Sequence, residues 1–301
     1  RNWSSAGLLA TQRLPPHPPA SRPRRPQAGQ AVEDPLGEAA PAVPLLQDEV
    51  AAGGEAPLAD FPAGARSGIF FHKILETAAP GGADLNERVR GALSEHGVEP
   101  LWADPVADLL RKLERFPLFL DPQAVCLAEV EQTRRAHEMD FTLPLRRITP
   151  GVLEGLFREA AAGPAAAQAE QAIGRLRFSP VRGFLRGVID LVFEHRGRFY
   201  LVDWKSNRLG MRFQDYREEA LAAAMTGHLY VLQYHLYVLA LHRLLALRVP
   251  GYRYERHFGG VAYVFLRGVR GEDDPTTGIF RDRPEPALIH RWEEALLEPP
   301  A

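Results

Sequence analysis

The chain has 301 residues, 46% of them hydrophobic, enough to build a core in one large domain or two small ones. A formal charge of −2 excludes bulk charge as a means of holding a polyanion, so any nucleic-acid contact must rest on a local basic face or on a partner. The single cysteine, Cys126, excludes a disulfide framework and a four-cysteine zinc or iron–sulfur site, and it fits the reducing cytoplasm.

Residues 1–62 are rich in Pro, Ala, Arg and Gly, as in Leu14-Pro-Pro-His-Pro-Pro19 and Arg22-Pro-Arg-Arg-Pro26, and carry no apolar periodicity. They are predicted to be a flexible linker ahead of a folded domain at 63–301. The chain begins with Arg1 rather than Met, so the expectation is a piece of a longer protein with something attached before the linker. Gly68–Glu76 reads as a helix with Ser67 as its N-cap. Further helices are predicted at 84–93 and 103–115, and strands at Ala128–Glu131 and Ala136–Leu143. Val152–Glu159 reads as a short helix. The alanine-rich stretch 160–169 is either a surface loop or an extension of that helix.

Two apolar, β-branched runs follow, Gly187–Phe193 and Tyr200–Asn207, joined by the polar turn Glu194–Arg198. They predict a β-hairpin. Glu218–Leu247 is helical, with a break at Gly227. Its most hydrophobic part, Leu229–Leu247, contains Gln233, His235, His242 and Arg243, too polar for a bilayer span and suited to a core helix. Gly260–Leu266 reads as a strand, Gly271–Pro286 as a polar loop and Ala287–Leu297 as a last helix. This order predicts an α/β fold with a mixed central β-sheet flanked by helices.

The hairpin carries the chemistry. Asp190 lies inside one apolar run, and Asp203 follows Tyr-Leu-Val in the next. Period-2 alternation puts Asp203 and Lys205 on one face and Trp204 on the other. A strand carboxylate taken singly is usually a turn cap or a partner for a surface arginine. Two buried carboxylates beside each other are costly unless a cation sits between them. Mg2+ would need little more than the two carboxylates and a backbone carbonyl, such as that of Trp204. Lys205 would then orient or help deprotonate a water, or neutralise a phosphate. A glycosidase pair is an alternative use of two acids. It fits less well, because Lys205 would depress the pKa of the acid needed as proton donor.

Four further segments join the Asp-x-Lys strand in resembling RecB-type nucleases of the PD-(D/E)xK superfamily. Gly68-Ile-Phe-Phe-His72-Lys-Ile-Leu-Glu76 matches G-x-x-x-H-x-x-x-E. Glu138-Met-Asp-Phe-Thr-Leu-Pro144 matches E-x-x-F-x-L-P. Gln233-Tyr-His-Leu-Tyr237 matches Q-x-x-x-Y, with both residues on one helix face. His257–Gly268 resembles a strand near the end of the family's chain. The resemblance covers roughly residues 66–297. Read without it, His72 is an ordinary helix histidine, Glu138 an exposed strand acid, and Gln233 and Tyr237 parts of an amphipathic helix.

The resemblance implies a restriction-endonuclease-like core and a metal-dependent deoxyribonuclease. His72, Asp190 and Asp203 become metal ligands, and Asp203 with Lys205 the catalytic pair. Glu138 becomes an accessory acid, and Gln233 and Tyr237 lie beside the centre and hold DNA. The implied metal is Mg2+, with Mn2+ able to replace it and Ca2+ able to bind without supporting catalysis. The implied partners are single-stranded DNA from linear duplex ends, a covalently attached helicase region, and RecC- and RecD-like subunits, acting in recombinational repair in a bacterial cytoplasm. No G-x-x-x-x-G-K-[ST] loop occurs in the sequence, so unwinding is not expected of this piece. A related branch with a four-cysteine iron–sulfur cluster is excluded by the lone Cys126. The candidate DNA groove is Arg175, Arg177, Arg182 and Arg186, ahead of Arg134–Arg135 and Arg146–Arg147. The alternative from another class is a catalytically inactive nuclease-fold module that binds DNA or a partner.

Overall fold

The computed structural model describes residues 54–77, 84–120, 123–160 and 164–298. Its centre is a five-stranded mixed sheet in the order β1-β2-β3-β4-β5: β1 (Arg135–Ile148), β2 (Val181–His195), β3 (Arg198–Lys205), β4 (Phe258–Phe265) and β5 (Ile279–Asp282). Strands β1, β2 and β3 pair antiparallel, β3 and β4 parallel, and β4 and β5 antiparallel. The β2–β3 turn is Arg196-Gly197, both at positive φ (50° and 80°), the two-residue hairpin turn whose twist suits right-twisted strands. The Glu194 carboxylate closes it by accepting from the Gly197 N–H at 2.6 Å.

Both faces of the sheet are covered, so its central strands read as continuous apolar runs. Phe199 and Leu201 of β3 enter one core, while Tyr200, Val202 and Trp204 enter the other. The second core is roofed by α1 (Ala65–Thr77), α2 (Leu85–Glu95) and α3 (Ala103–Arg115). The first is covered by α4 (Pro150–Ala160), α5 (Pro164–Gly174), α6 (Glu218–Gly227), α7 (Tyr230–Arg248) and, after the single turn α8 (Tyr254–His257), α9 (Pro286–Leu296). Helices α6 and α7 make the crossover that the parallel β3–β4 pair requires. They are separated at Leu229, which takes a left-handed conformation (φ 58°). Among the described residues no helix is long and apolar enough to cross a membrane.

Several expectations are corrected. The segment at Ala128–Glu131 is not a strand but two 3-10 turns, Leu127–Glu129 and Gln132–Arg134. The buried Arg135 guanidinium draws in the carbonyls of Leu127 and Val130 and pairs with Glu114, and carbonyls so used are lost to a ladder. The expected polar loop at 271–286 contains β5, whose pairing with β4 completes the sheet edge. Ser67 lies inside α1 rather than capping it, and its hydroxyl donates to the Pro62 carbonyl at 2.6 Å. The 160–169 stretch holds the start of α5 at Pro164; residues 161–163 lie outside the described residues. The fold also begins before the expected boundary at 62/63. Glu55 bridges to Arg212, the Ala56 N–H donates to the Met211 carbonyl, and Phe61 is fully buried. The rest of the expected linker, residues 1–53, lies outside the described residues.

Arg267 explains why that segment docks. It is 1% exposed. Its Nε donates to the Ser206 carbonyl, Nη1 to those of Leu58 and Phe61, and Nη2 to that of Pro62, all at 2.7–2.8 Å. Burial pulls its pKa down to about 10. The guanidinium thus joins the turn after β3 to the chain entering α1.

Candidate active site

Strand β2 changes phase at Asp190. Ile189 and Val192 enter one core, Leu191 and Phe193 the other. Opposite it, the β1–β2 ladder skips one position, with His137 paired to Leu191 and Met139 to Ile189. The skipped residue on β1 is Glu138, held at φ 49°, a left-handed conformation that costs a non-glycine residue about 1–2 kcal/mol. Such strain is characteristic of functional sites. Here it accompanies a carboxylate turned toward α1.

His72 of α1 meets these acids. Its Nδ1 is 3.2 Å from Asp190 Oδ1 and 3.8 Å from Glu138 Oε1. The other Asp190 oxygen accepts the Trp204 N–H at 2.7 Å, which locks Asp190 to β3. One ligand atom each from His72, Glu138 and Asp190 lies within 4.8 Å of the other two. This group contains Glu138, expected as an accessory acid, and Asp203 is not one of its three members.

Asp203 is 2% exposed and sits beside this group in an ion pair with Lys205, at 2.8 Å. Lys205 is boxed in. Its ammonium lies 4.0 Å from the Tyr230 ring centroid and 5.2 Å from that of Tyr263, and it donates to Gln233 Oε1 at 3.1 Å. Tyr263 donates to the same oxygen at 2.9 Å, and Gln233 Nε2 donates to the Tyr237 hydroxyl at 2.9 Å. Gln233 thus joins Lys205 to Tyr237. The Phe141 ring packs edge-on to Tyr237, with centroids 5.6 Å apart, and lies over Gly187, where a Cβ would come within 2.5 Å of the ring. Sequence reasoning missed Tyr230 and Tyr263. Their signals were present: Tyr230 is one turn before Gln233, and Tyr263 is the β4 partner of Asp203.

Protonation in the group follows from burial and mutual charge. Burial disfavours a charged His72, yet its contacts with Asp190 and Glu138 outweigh burial and raise it to about 10. Burial, with the neighbouring Asp190 charge, pushes Asp203 up to about 7 against the pull of Lys205. Burial lowers Lys205, but Asp203 more than restores it, so the ammonium keeps its proton. Burial and the Asp203 charge raise Tyr237 as well, and it stays a hydroxyl. The cluster is over-supplied with negative charge and offsets it by taking up protons. Carboxylate oxygens with one imidazole suit a hard or borderline divalent cation, which would relieve the same excess.

Several of the expected groove residues are engaged in the fold instead. Arg134 pairs with Glu194, and Arg135 with Glu114. Arg146 donates to the Leu297 carbonyl, and Arg177 to those of Gly174 and Leu176. Arg182 pairs with Glu298 at 2.7 Å. Arg186 is exposed on β2.

A sequence profile described as "PD-(D/E)XK nuclease superfamily" matches residues 51–298. Over 235 residues the chain is 40% identical to "RecBCD enzyme subunit RecB" of Escherichia coli, covering 78% of this chain and 19% of that protein. The protein of the same name from Haemophilus influenzae is 35% identical over 235 residues, covering 78% and 19%. That from Mycobacterium tuberculosis H37Rv is 35% identical over 260 residues, covering 77% and 24%. The chain thus spans only 19–24% of the length of these relatives.

Proposed function

We propose that this chain, which belongs to the PD-(D/E)XK nuclease superfamily, is a Mg2+-dependent deoxyribonuclease domain that hydrolyses phosphodiester bonds of single-stranded DNA. The observation that carries this reading is the meeting of His72 with Glu138 and Asp190 beside the buried Asp203–Lys205 pair. In it, His72, Asp190 and Asp203 hold the cation, and Glu138 adds a fourth donor. When bound, the cation supplies Lewis-acid polarisation of the phosphate and positive charge where the transition state becomes more negative. Mn2+ replaces Mg2+, and Ca2+ binds without supporting cleavage.

The protein's own groups do the rest. Lys205 stays an ammonium held by Asp203, Gln233 and two tyrosine rings. It therefore acts by charge and hydrogen bonding on the phosphate and the incoming water rather than as a base. Asp190 is fixed by the Trp204 N–H, so its free oxygen is oriented before substrate arrives, which avoids reorganisation during reaction. Gln233 orients Lys205 and the Tyr237 hydroxyl, the latter a donor toward a DNA phosphate.

Substrate approaches along the β1–β2 ribbon. Phe184, Arg186 and Val188 lie along one exposed side of β2, and Phe184 is 74% exposed. Arg186 is four residues from Asp190, about 13 Å along a strand. Aromatic faces that stack bases, interleaved with cations for the backbone, are what a single strand needs. Phe184→Ala is expected to weaken binding of a fluorescent oligonucleotide about tenfold. Arg186→Ala is expected to flatten the dependence of log affinity on log salt by about 0.7. Anisotropy titrations in Ca2+ read both, and unchanged affinity together with an unchanged slope would remove the ribbon from the DNA path.

In the parent protein, by analogy with the RecB relatives, the domain follows a helicase region. It works with RecC- and RecD-like subunits on strands from linear duplex ends during double-strand break repair in the bacterial cytoplasm, an exodeoxyribonuclease V activity. Incubation of the 301-residue chain with linear single-stranded DNA tests the chemistry. Nucleotide release in Mg2+ that stops on chelation is the expected result, and release that persists in chelator contradicts it.

A further inference from the structure

A second set of metal-ligating side chains lies where α7 meets α9, apart from the acids of β1–β3. His242 comes from α7. His290 and Glu293 come from α9, three residues apart and so on one helix face. One ligand atom of each falls within 4.8 Å of the other two. The His242 and His290 rings meet edge-on, with centroids 5.4 Å apart.

His242 Nδ1 is 3.1 Å from the Tyr252 hydroxyl, while its Nε2 is 3.7 Å from Glu293 Oε2. That gap is too long for a hydrogen bond. It is close to the ~3.4 Å that separates two ligand atoms on one tetrahedral ion with bonds of about 2.0–2.1 Å. The other Glu293 oxygen is taken by Arg243 Nη1 at 3.1 Å. Imidazole and carboxylate thus each have an outer partner on the side away from the gap, the arrangement that orients metal ligands.

We propose that His242, His290 and Glu293 form a three-ligand site for a borderline divalent cation of the Zn2+ class, tying α7 to α9. Two imidazoles and one carboxylate favour Zn2+ over Mg2+, the reverse of the carboxylate-rich group at Asp190. His290 is exposed, so an ion could reach the three side chains from solvent. The ion holds the distal half of the helix whose earlier turns carry Gln233 and Tyr237.

The test uses the 301-residue chain carrying His72→Ala and Asp190→Asn, which removes the other cluster, titrated with Zn2+ in excess Mg2+ by calorimetry. One equivalent should bind and raise the thermal midpoint. Adding His290→Ala, at an exposed position that spares the fold, should weaken that binding at least tenfold and abolish the thermal shift. Glu293→Gln should do the same, with circular dichroism checking the fold. No Zn2+ binding in the background protein, or undiminished binding after His290→Ala and Glu293→Gln, would overturn the assignment.

Discussion

Asp203→Asn is expected to reduce Mg2+-dependent cleavage of single-stranded DNA by about 10³-fold while leaving the protein folded. The amide has nearly the carboxylate's shape and keeps an oxygen for Lys205, so what is lost is the charge. Stability relative to the parent should depend on pH. In the fold, burial raises Asp203 to about 7 from an ordinary 3.8, so the unfolded chain ionises first. The contribution of this group to stability is complete below about pH 4 and is lost as pH rises through about 7. Asparagine has no such loss. Without metal, the thermal midpoint of the variant relative to the parent should therefore rise between pH 5 and pH 8. The midpoint increase that Mg2+ gives the parent should shrink in the variant. Equal cleavage by the two proteins would remove Asp203 from the chemistry. No cleavage by either would favour a nuclease fold that only binds.

Arg267→Lys is expected to cost about 3–5 kcal/mol of stability. The guanidinium is buried and satisfies carbonyls at Leu58, Phe61, Pro62 and Ser206. An ammonium keeps the charge but lacks the planar fork that reaches them. Acceptors left buried without donors cost about 1–3 kcal/mol each before relaxation. At about 2–4 °C per kcal/mol for a domain of this size, the thermal midpoint should fall by about 10 °C. Activity should fall further than unfolding explains, because the same contacts fix the entry to α1, which carries His72, against the turn after Lys205. A urea midpoint within the equivalent of about 1 kcal/mol of the parent would show that residues 58–62 dock by other means.

The parts of the fold that were legible in the sequence are those where periodicity and burial agree. The β2–β3 hairpin, the long helix broken near Gly227 and β4 combine unbroken apolar runs with glycine or polar punctuation, and side-chain alternation follows from these directly. What was not legible depends on groups distant in sequence. No local pattern indicates that Arg135 will curl residues 127–134, or that Arg267 will gather a segment more than 200 residues earlier. Strand β5 has four residues and exists because β4 offers an edge.

The candidate site divides in the same way. Asp190, Asp203 and Lys205 lie on adjacent strands, so their proximity follows from the hairpin. His72 and Gln233 come from helices on opposite faces of the sheet, and their approach could be expected only through resemblance. The turn of Glu138 toward His72 rests on a left-handed backbone at a non-glycine residue, for which the sequence carries no sign. The pairing of His242 with His290 and Glu293 likewise needed the packing of α7 on α9.

Anomalous diffraction from crystals grown with Mn2+ tests the central claim most directly, that the acids of β1, β2 and β3 and the imidazole of α1 share one cation. The account predicts a peak bounded by His72, Glu138, Asp190 and Asp203 with Lys205 at its margin, and loss of that peak in Asp190→Asn. Crystals in which this position shows no peak at saturating Mn2+, or a peak there that survives Asp190→Asn, would contradict it.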